Sequence, residues 1–235
     1  MGDLFKFKQF DVDQAGCSMR INTDGVLLAV KATEDSVNRV LDIGTGTGVI
    51  AMMLAQLLPE AFIDAIDIDQ GAFSCADNNF KNSPFSDRLA VYHSDIKNFE
   101  TAVRYDIIVS NPPFFLNSLK NSNERKTLSR HGSIQFYDAL FNKCDHLLTD
   151  SGSFKVIWPI DVRDHILAQK QTANLHLTKE IYISSFPESA PFRIISSFKK
   201  LPDRSVLTES FHIYKEQGVY SEAYLELLKP FFIKY

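Results

Sequence analysis

Two short stretches of the chain hold residue types at spacings that can do chemistry. The first, "LDIGTGTGV", sets Asp42 ahead of Gly44, Gly46 and Gly48, where an apolar run gives way to an apolar helical stretch. Glycines at such a turn let the polar part of a ligand approach bare backbone amides. Their spacing differs from the Gly-x-Gly-x-x-Gly pattern that seats a pyrophosphate on a helix N-terminus. Asp42 beside the loop would repel a pyrophosphate and suits a cationic ligand, one carrying an ammonium or a sulfonium. Asp67 follows about 20 residues later at the end of the next apolar run, where a carboxylate can accept both hydroxyls of a ribose. Asp95 ends the third run in "YHSDI", where it can accept from an adenine amino group, with Ile68 and Ile96 as apolar walls. Each Asp by itself reads equally as a strand-end or helix-capping residue. Three successive strands ending in a glycine loop, an Asp and an Asp make a binding site the better account.

The second stretch, "VSNPPFF", runs from Val109 to Phe115 and puts two prolines behind a strand-like run. Proline removes a ladder donor, so Pro112 and Pro113 must end the strand. Asn111 and the carbonyl of Pro112 are then two oxygens able to accept from one NH2 group, which turns a delocalised nitrogen lone pair toward an electrophile. Fixed φ angles hold those carbonyls outward, and Phe114 offers a ring on which a planar base can stack, worth about 1–3 kcal/mol. A rigid turn with two core phenylalanines is the bland alternative. Adenine N6, guanine N2, cytosine N4 and a glutamine side-chain amide all qualify as the amino group.

These residues need a scaffold to bring them together. From about residue 38, short apolar runs alternate with helical-period stretches, the pattern of a parallel sheet with crossover helices. "RVLDIG", "AFIDAIDI", "RLAVYHSD", "YDIIVSN" and "SFKVIWP" are the candidate strands. Val49 to Leu58 is apolar nearly all round and predicts a buried helix, with two more over Gly71 to Lys81 and Ile134 to Leu148. Beyond Pro159 the pattern predicts a helix from Asp161 to Ala173. Antiparallel edge strands follow near Leu177 to Phe186, Phe192 to Phe198 and Val206 to Tyr214, then a terminal helix over Ser221 to Lys229. No repeat or long linker interrupts the chain, so a single domain is expected. Residues 1–37 are expected as an N-terminal extension, 38–160 as the alternating core that carries the glycine loop, and 161–235 as the C-terminal helix, strands and terminal helix.

With 235 residues, 45% hydrophobic and 23% charged, the chain can bury a sizeable core. It shows no run of about 18 apolar residues, and "MGDLFKFKQF" lacks signal or transit features, so the cytoplasm is expected. Cys17, Cys75 and Cys144 are too scattered for a disulfide framework or a zinc knuckle, and no metal is expected. The net charge of -4 does not advertise a nucleic-acid binder, which needs Lys and Arg. Two local segments do: Lys120, Arg125, Lys126 and Arg130 stand against Glu124 alone, and Arg193, Lys199, Lys200 and Arg204 against Asp203 alone. Solvated surface loops are the other reading of both.

The succession "LDIGTGTG", "IDID", "SDI", "SNPPF" resembles the class I S-adenosylmethionine-dependent methyltransferases over about residues 38 to 160. That resemblance implies a Rossmann-like α/β fold with a seven-stranded, mostly parallel sheet flanked by helices, its last strand antiparallel. It implies S-adenosyl-L-methionine as cofactor, with Gly44, Gly46 and Gly48 bordering the methionine part, Asp67 on the ribose, and Asp95 with Ile96 on the adenine. The start "FKFKQFDVDQAGCSMRINTDGVLLAVKA", "LSRHGSI" and "GVYSEAYLELLKPFF" extend a likeness to the bacterial tRNA(Val) adenine N6-methyltransferases, which modify the adenine 3′ of the anticodon. Arg20 and Asn22 depart from that pattern, where Lys and Gly are expected. By this resemblance Arg20 to Leu28 lies over the cofactor, Arg20 and Thr23 are candidate contacts, and Asp24 or Thr23 caps the first helix. The implied partner is a valine tRNA, held by Lys120, Arg125, Lys126 and Arg130 with help from Lys6 and Lys8, and the chain is expected to act as a monomer. A ribosomal guanine N2 or adenine N6 methyltransferase, a release-factor glutamine methyltransferase, and a non-catalytic cofactor or RNA-binding module are the competing readings.

Overall fold

Short apolar runs that alternate with helices leave the inner strands buried on both faces, and the chain meets that demand with one large sheet. The computed structural model describes residues 3–17, 19–113, 136–169 and 173–233. An N-terminal hairpin pairs β1 (Leu4–Lys6) with β2 (Asp11–Asp13). The sheet is built from β3 (Arg39–Ile43), β4 (Phe62–Asp67), β5 (Leu89–His93), β6 (Tyr105–Ser110), β7 (Leu148–Pro159), β8 (His176–Ser184), β9 (Arg193–Lys199) and β10 (Leu207–His212). Its order is β10-β8-β9-β7-β6-β3-β4-β5. A second hairpin, β11 (Tyr214–Glu216) with β12 (Val219–Tyr220), follows the last of these strands.

The expected α/β class holds, with one strand more than the seven predicted. The C-terminal strands also differ from the all-antiparallel expectation. β9 alone runs against its neighbours β7 and β8, whereas β8 points with the core and β10 pairs parallel to β8. Connectivity is the reason: β9 slots between β7 and β8 and ends at the far edge, so β10 starts from that edge and must run back alongside β8.

The helices are α1 (Thr23–Lys31), α2 (Val49–Leu57), α3 (Gln70–Lys81), α4 over residues 136–147, α5 (Arg163–Gln169) and α6 (Glu222–Leu228), with a 3-10 turn at Ile160–Val162 before α5. None is long and apolar enough to cross a membrane, among the described residues. Side chains alternate across the sheet with period two. Val40, Ile63, Ala65, Ile107 and Val109 face the layer of α1, α2 and α3, while Leu41, Ile43, Ile66, Ile108 and Trp158 face α4 and α5. Fully buried Leu27, Leu28, Met52 and Leu54 each contribute about 1.5–3 kcal/mol by leaving water.

Helix caps place α1 and α3. Asn22, neither Thr23 nor Asp24, caps α1: its side chain accepts the Gly25 amide at 2.9 Å. Asp69 caps α3 by accepting the Ala72 amide at 2.7 Å. From α3, Asn79 donates to the carbonyls of Asp13 and Thr47 and accepts the Asp13 amide, all at 2.9 Å. One carboxamide thus ties the N-terminal hairpin to the glycine loop.

The two N-terminal lysines named for RNA each have a partner within the chain. Lys8 donates to the Lys229 carbonyl at 2.6 Å, and Lys6 pairs with Asp11 at 3.7 Å. The second basic segment is split by β9. Arg193 sits at the edge where β7 ends, but Lys199 lies at the opposite edge, where β8 begins, beyond which Lys200 binds the Leu148 carbonyl.

Candidate active site

In an open sheet of this order, β3 has β4 on one side and β6 on the other, and the chain's direction of travel reverses between them. A crevice opens at the carboxyl ends of the strands at such a switch point. Here it is a cavity of about 480 Å3 lined by Gly44 and Gly46 after β3, Asp67 and Ile68 at the end of β4, Asp95 and Ile96 after β5, and Asn111 and Pro112 after β6. Eight of the residues singled out in the sequence therefore share one wall system. A smaller cleft of about 30 Å3 adjoins it between the N-terminal segment and the glycine loop, and Gly44, Gly46 and Asn111 border both.

The glycine loop is shaped by backbone need. Gly44 and Gly46 hold φ of 75° and 58°, and a Cβ on either would meet nothing within 4 Å, so the positive φ is what requires glycine. Gly48 differs: a Cβ there would stand 2.5 Å from Phe80 Cε1. It lies off the ligand cavity, against α3, at the left-handed start of α2. The loop is pinned by amides of Gly44 and Thr45 donating to the Ile66 carbonyl at 2.9 and 3.1 Å.

Asp67 binds the loop from β4. Its Oδ2 accepts the Gly46 amide and its Oδ1 the Asp69 amide, each at 2.9 Å. Asp95 accepts the Lys97 amide at 3.0 Å. A carboxylate offers about four lone-pair sites, so both retain capacity to accept from a ligand. Ile68 is 67% exposed whereas Ile96 is buried at 3%. An apolar side chain held open on a cavity wall is a surface that a flat ligand ring would cover.

Asp42 does not reach either cavity. It is wholly buried beneath the loop, its Oδ2 accepting from the Thr45 hydroxyl at 2.7 Å. Burial pushes its carboxyl up from 3.8 to about 7, the Asp67 charge adds to the rise, and the Thr45 bond opposes it. Arg20 lines the small cleft, but its guanidinium donates to Asp3 at 2.7 Å. Thr23 is exposed and borders neither cavity. Phe114, Lys120, Arg125, Lys126 and Arg130 lie outside the described residues.

Other lining residues went unread in the sequence: Met19, Ser94, Lys97, Ser110 and Phe136. Ser110 was within reach, since it immediately precedes Asn111 and its hydroxyl ties β6 to β3 through the Ile43 carbonyl at 2.9 Å. Met19 and Phe136 arrive from remote segments with no local signal.

What this arrangement can hold is an adenosine carrying a charged amino-acid tail. Asp67 and Asp95 can accept from hydroxyl and amino donors, Ile68 and Ile96 can cover a ring, and the small cleft lies at the start of α2, where the helix dipole favours a carboxylate. Asn111 and Pro112 line the same cavity from the end of β6, and Asn111 stands where it meets the small cleft.

Comparison with known proteins agrees with this geometry. The methyltransferase small domain family matches residues 17–169. A tRNA1(Val) (adenine(37)-N6)-methyltransferase of Pedobacter heparinus is 41% identical over 235 residues, covering 100% of both chains. One from Porphyromonas gingivalis is 38% identical over 242 residues, covering 98% of this chain and 95% of that one. Among solved structures, a predicted O-methyltransferase from Agrobacterium tumefaciens superposes with a TM-score of 0.67 over 88% of this chain and 96% of that one. At 19% identity that last likeness concerns the fold alone. Matched along its whole length, this chain belongs to the methyltransferase small domain family and, within it, to the group of the tRNA1(Val) (adenine-N6)-methyltransferases.

Proposed function

We propose that this chain transfers the methyl group of S-adenosyl-L-methionine to N6 of adenine 37 in tRNA1(Val), the reaction for which its full-length relatives are named. The observation that carries the reading is that Asn111 and Pro112 line the same cavity as Gly44, Gly46, Asp67 and Asp95. The cofactor, when bound, supplies an electrophilic methyl on a sulfonium that leaves as a neutral thioether. The protein's own task is alignment, which alone can be worth several kcal/mol of barrier.

Asp67 accepts from the ribose hydroxyls and Asp95 from the adenine amino group, so the nucleoside is fixed at two donors. Ile68 and Ile96 cover the ring. Asn111 Oδ1 and the Pro112 carbonyl accept the two N–H bonds of the target, which aims its lone pair along the cavity. Neither oxygen is a base near neutrality, so the proton released from the methylated nitrogen passes to water. Phe114 stacks on the target base, and Lys120, Arg125, Lys126 and Arg130 hold phosphate. In this reading all 235 residues act as one methyltransferase domain, as a monomer, in the cytoplasm.

Labelled S-adenosylmethionine with unmodified tRNA, followed by digestion and mass spectrometry, tests the reading. N6-methyladenosine mapped to position 37 of a valine tRNA is the expected product. Label in ribosomal RNA or a release factor instead would keep the Asn111 chemistry and overturn the substrate.

A further inference from the structure

Asp24 and Arg193, distant in sequence, meet beside the site. Arg193 Nε donates to Asp24 Oδ2 at 2.7 Å, with side chains 26% and 16% exposed respectively. Arg193 is itself held in place. It opens β9 opposite Pro159, its Nη1 donates to the Phe192 carbonyl at 3.1 Å, and its guanidinium lies 5.4 Å from the Phe192 ring centre. Asp24 stands in the first turn of α1, where the helix dipole favours a negative charge.

The next residue, Gly25, reaches the Asn-Pro-Pro turn. A Cβ on Gly25 would stand 3.5 Å from Ile50 Cδ1 and 3.7 Å from Asn111 Nδ2. The first turn of α1 therefore lies beside the Asn111 carboxamide, with Nδ2 the nearer of its two polar atoms. The far end of α1 has its own anchor, since Lys155 donates to the Ala32 carbonyl and pairs with Glu34, both at 2.7 Å. Loosening the Asp24 end leaves the helix docked by that anchor, by its buried face and by the Asn22 cap, so the change is confined to a small shift of its first turn.

We propose that the Asp24–Arg193 ion pair is a positioning device for methyl transfer, holding the first turn of α1 against Asn111 so that its carboxamide presents Oδ1 to the target amino group. This rests on the reading of the site given above. A carboxamide turned over about its last bond would oppose a donor to a donor. The ion pair acts through packing, since neither Asp24 nor Arg193 lines the cavity or the small cleft.

The test uses the full chain with Arg193→Gln, Asp24→Asn and the double variant. Five quantities are read: melting temperature, S-adenosylmethionine Kd by calorimetry, kcat and KM on tRNA, and the side-chain amide resonances of Asn111 in cofactor-free protein. Each single variant should lower kcat about 10- to 100-fold, the scale expected of a displacement near 1 Å. The tRNA KM should stay within about threefold of wild type on the same argument, cofactor Kd should rise by clearly less than kcat falls because Gly25 borders the small cleft, and the Asn111 amide pair should move toward free-carboxamide positions. The double variant should be no worse than either single. Unchanged kcat with an unmoved Asn111 signal overturns the proposal. So does a loss of cofactor affinity as large as the loss of kcat together with a lower melting temperature, which marks a structural role only. If the single variants fail to fold, Arg193→Lys keeps the charge without the Nε geometry, and full activity there overturns the proposal equally. Wild-type protein that methylates no tRNA would sink the reading of the site and this proposal with it, whereas active wild type beside unaffected variants sinks this proposal alone.

Discussion

The Asp67 carboxylate accepts the Gly46 backbone amide at 2.9 Å, which ties the end of β4 to the glycine loop after β3. With its other oxygen on the Asp69 amide at 2.9 Å, Asp67 sets the loop and the start of α3 together. Asp67→Asn turns an NH2 against one of those amides. Calorimetry should show S-adenosylmethionine affinity reduced about 10- to 100-fold, or about 1.4–2.7 kcal/mol. An unchanged Kd would remove Asp67 from the cofactor site.

Asn111→Ala removes one of two acceptors aimed at the target amino group. Turnover should fall at least about 100-fold, the scale of losing one preorganised hydrogen-bonding group, while cofactor Kd changes little. Surviving turnover in a steady-state assay would mean that the amino-group chemistry does not reside at this turn.

Gly48→Ala meets two penalties at once, a φ of +82° and a Cβ 2.5 Å from Phe80 Cε1. A loss of about 2–4 kcal/mol in a urea melt follows from left-handed backbone plus overpacking. Adding Phe80→Leu should recover the steric part and leave the backbone part. No recovery would show that Phe80 is not the obstacle.

Asp42 gives the stability a pH dependence of known sign. Its carboxyl is raised from 3.8 to about 7 chiefly by burial, so between those values the native chain binds a proton that the unfolded chain has released. Stability from this group therefore falls as pH rises through that window. In thermal melts Asp42→Asn should gain on wild type progressively from about pH 4 to pH 7. A gap independent of pH would mean that Asp42 titrates normally.

Lys126→Glu with Arg130→Glu reverses two candidate phosphate contacts. The tRNA KM should rise about tenfold, more at low salt than at high, with cofactor affinity intact. RNA kinetics equal to wild type would take this segment out of the interface.

Much of the site was legible because its residues are punctuation. Gly44 and Gly46, Asp67, Asp95, and Asn111 with Pro112 each stand where an apolar run must stop, and a parallel sheet gathers such stops at one edge. Apolar runs and helical-period stretches located β3 to β7 and α2 to α6 for the same local reason, while α1 was expected only as the helix that Asp24 or Thr23 would cap. The cap of α1 was less legible, since Asn22, Thr23 and Asp24 are all competent in sequence and only the turn's geometry selects Asn22.

What the chain alone determined, then, was where strands end and which polar groups stand at those ends, because backbone propensity and the burial pattern act over a few residues. The tertiary structure decided which of those groups face a common space. It buried Asp42 under the loop, turned Gly48 against Phe80, and brought Met19 and Phe136 to the cavity from either side of the core. It added an eighth strand whose direction follows from where β9 leaves the sheet. It also joined Asp24 to Arg193 across 169 residues. Contacts at such separation depend on how the strands are ordered in the sheet, and strand order is settled by packing of the whole core rather than by any local run of residues.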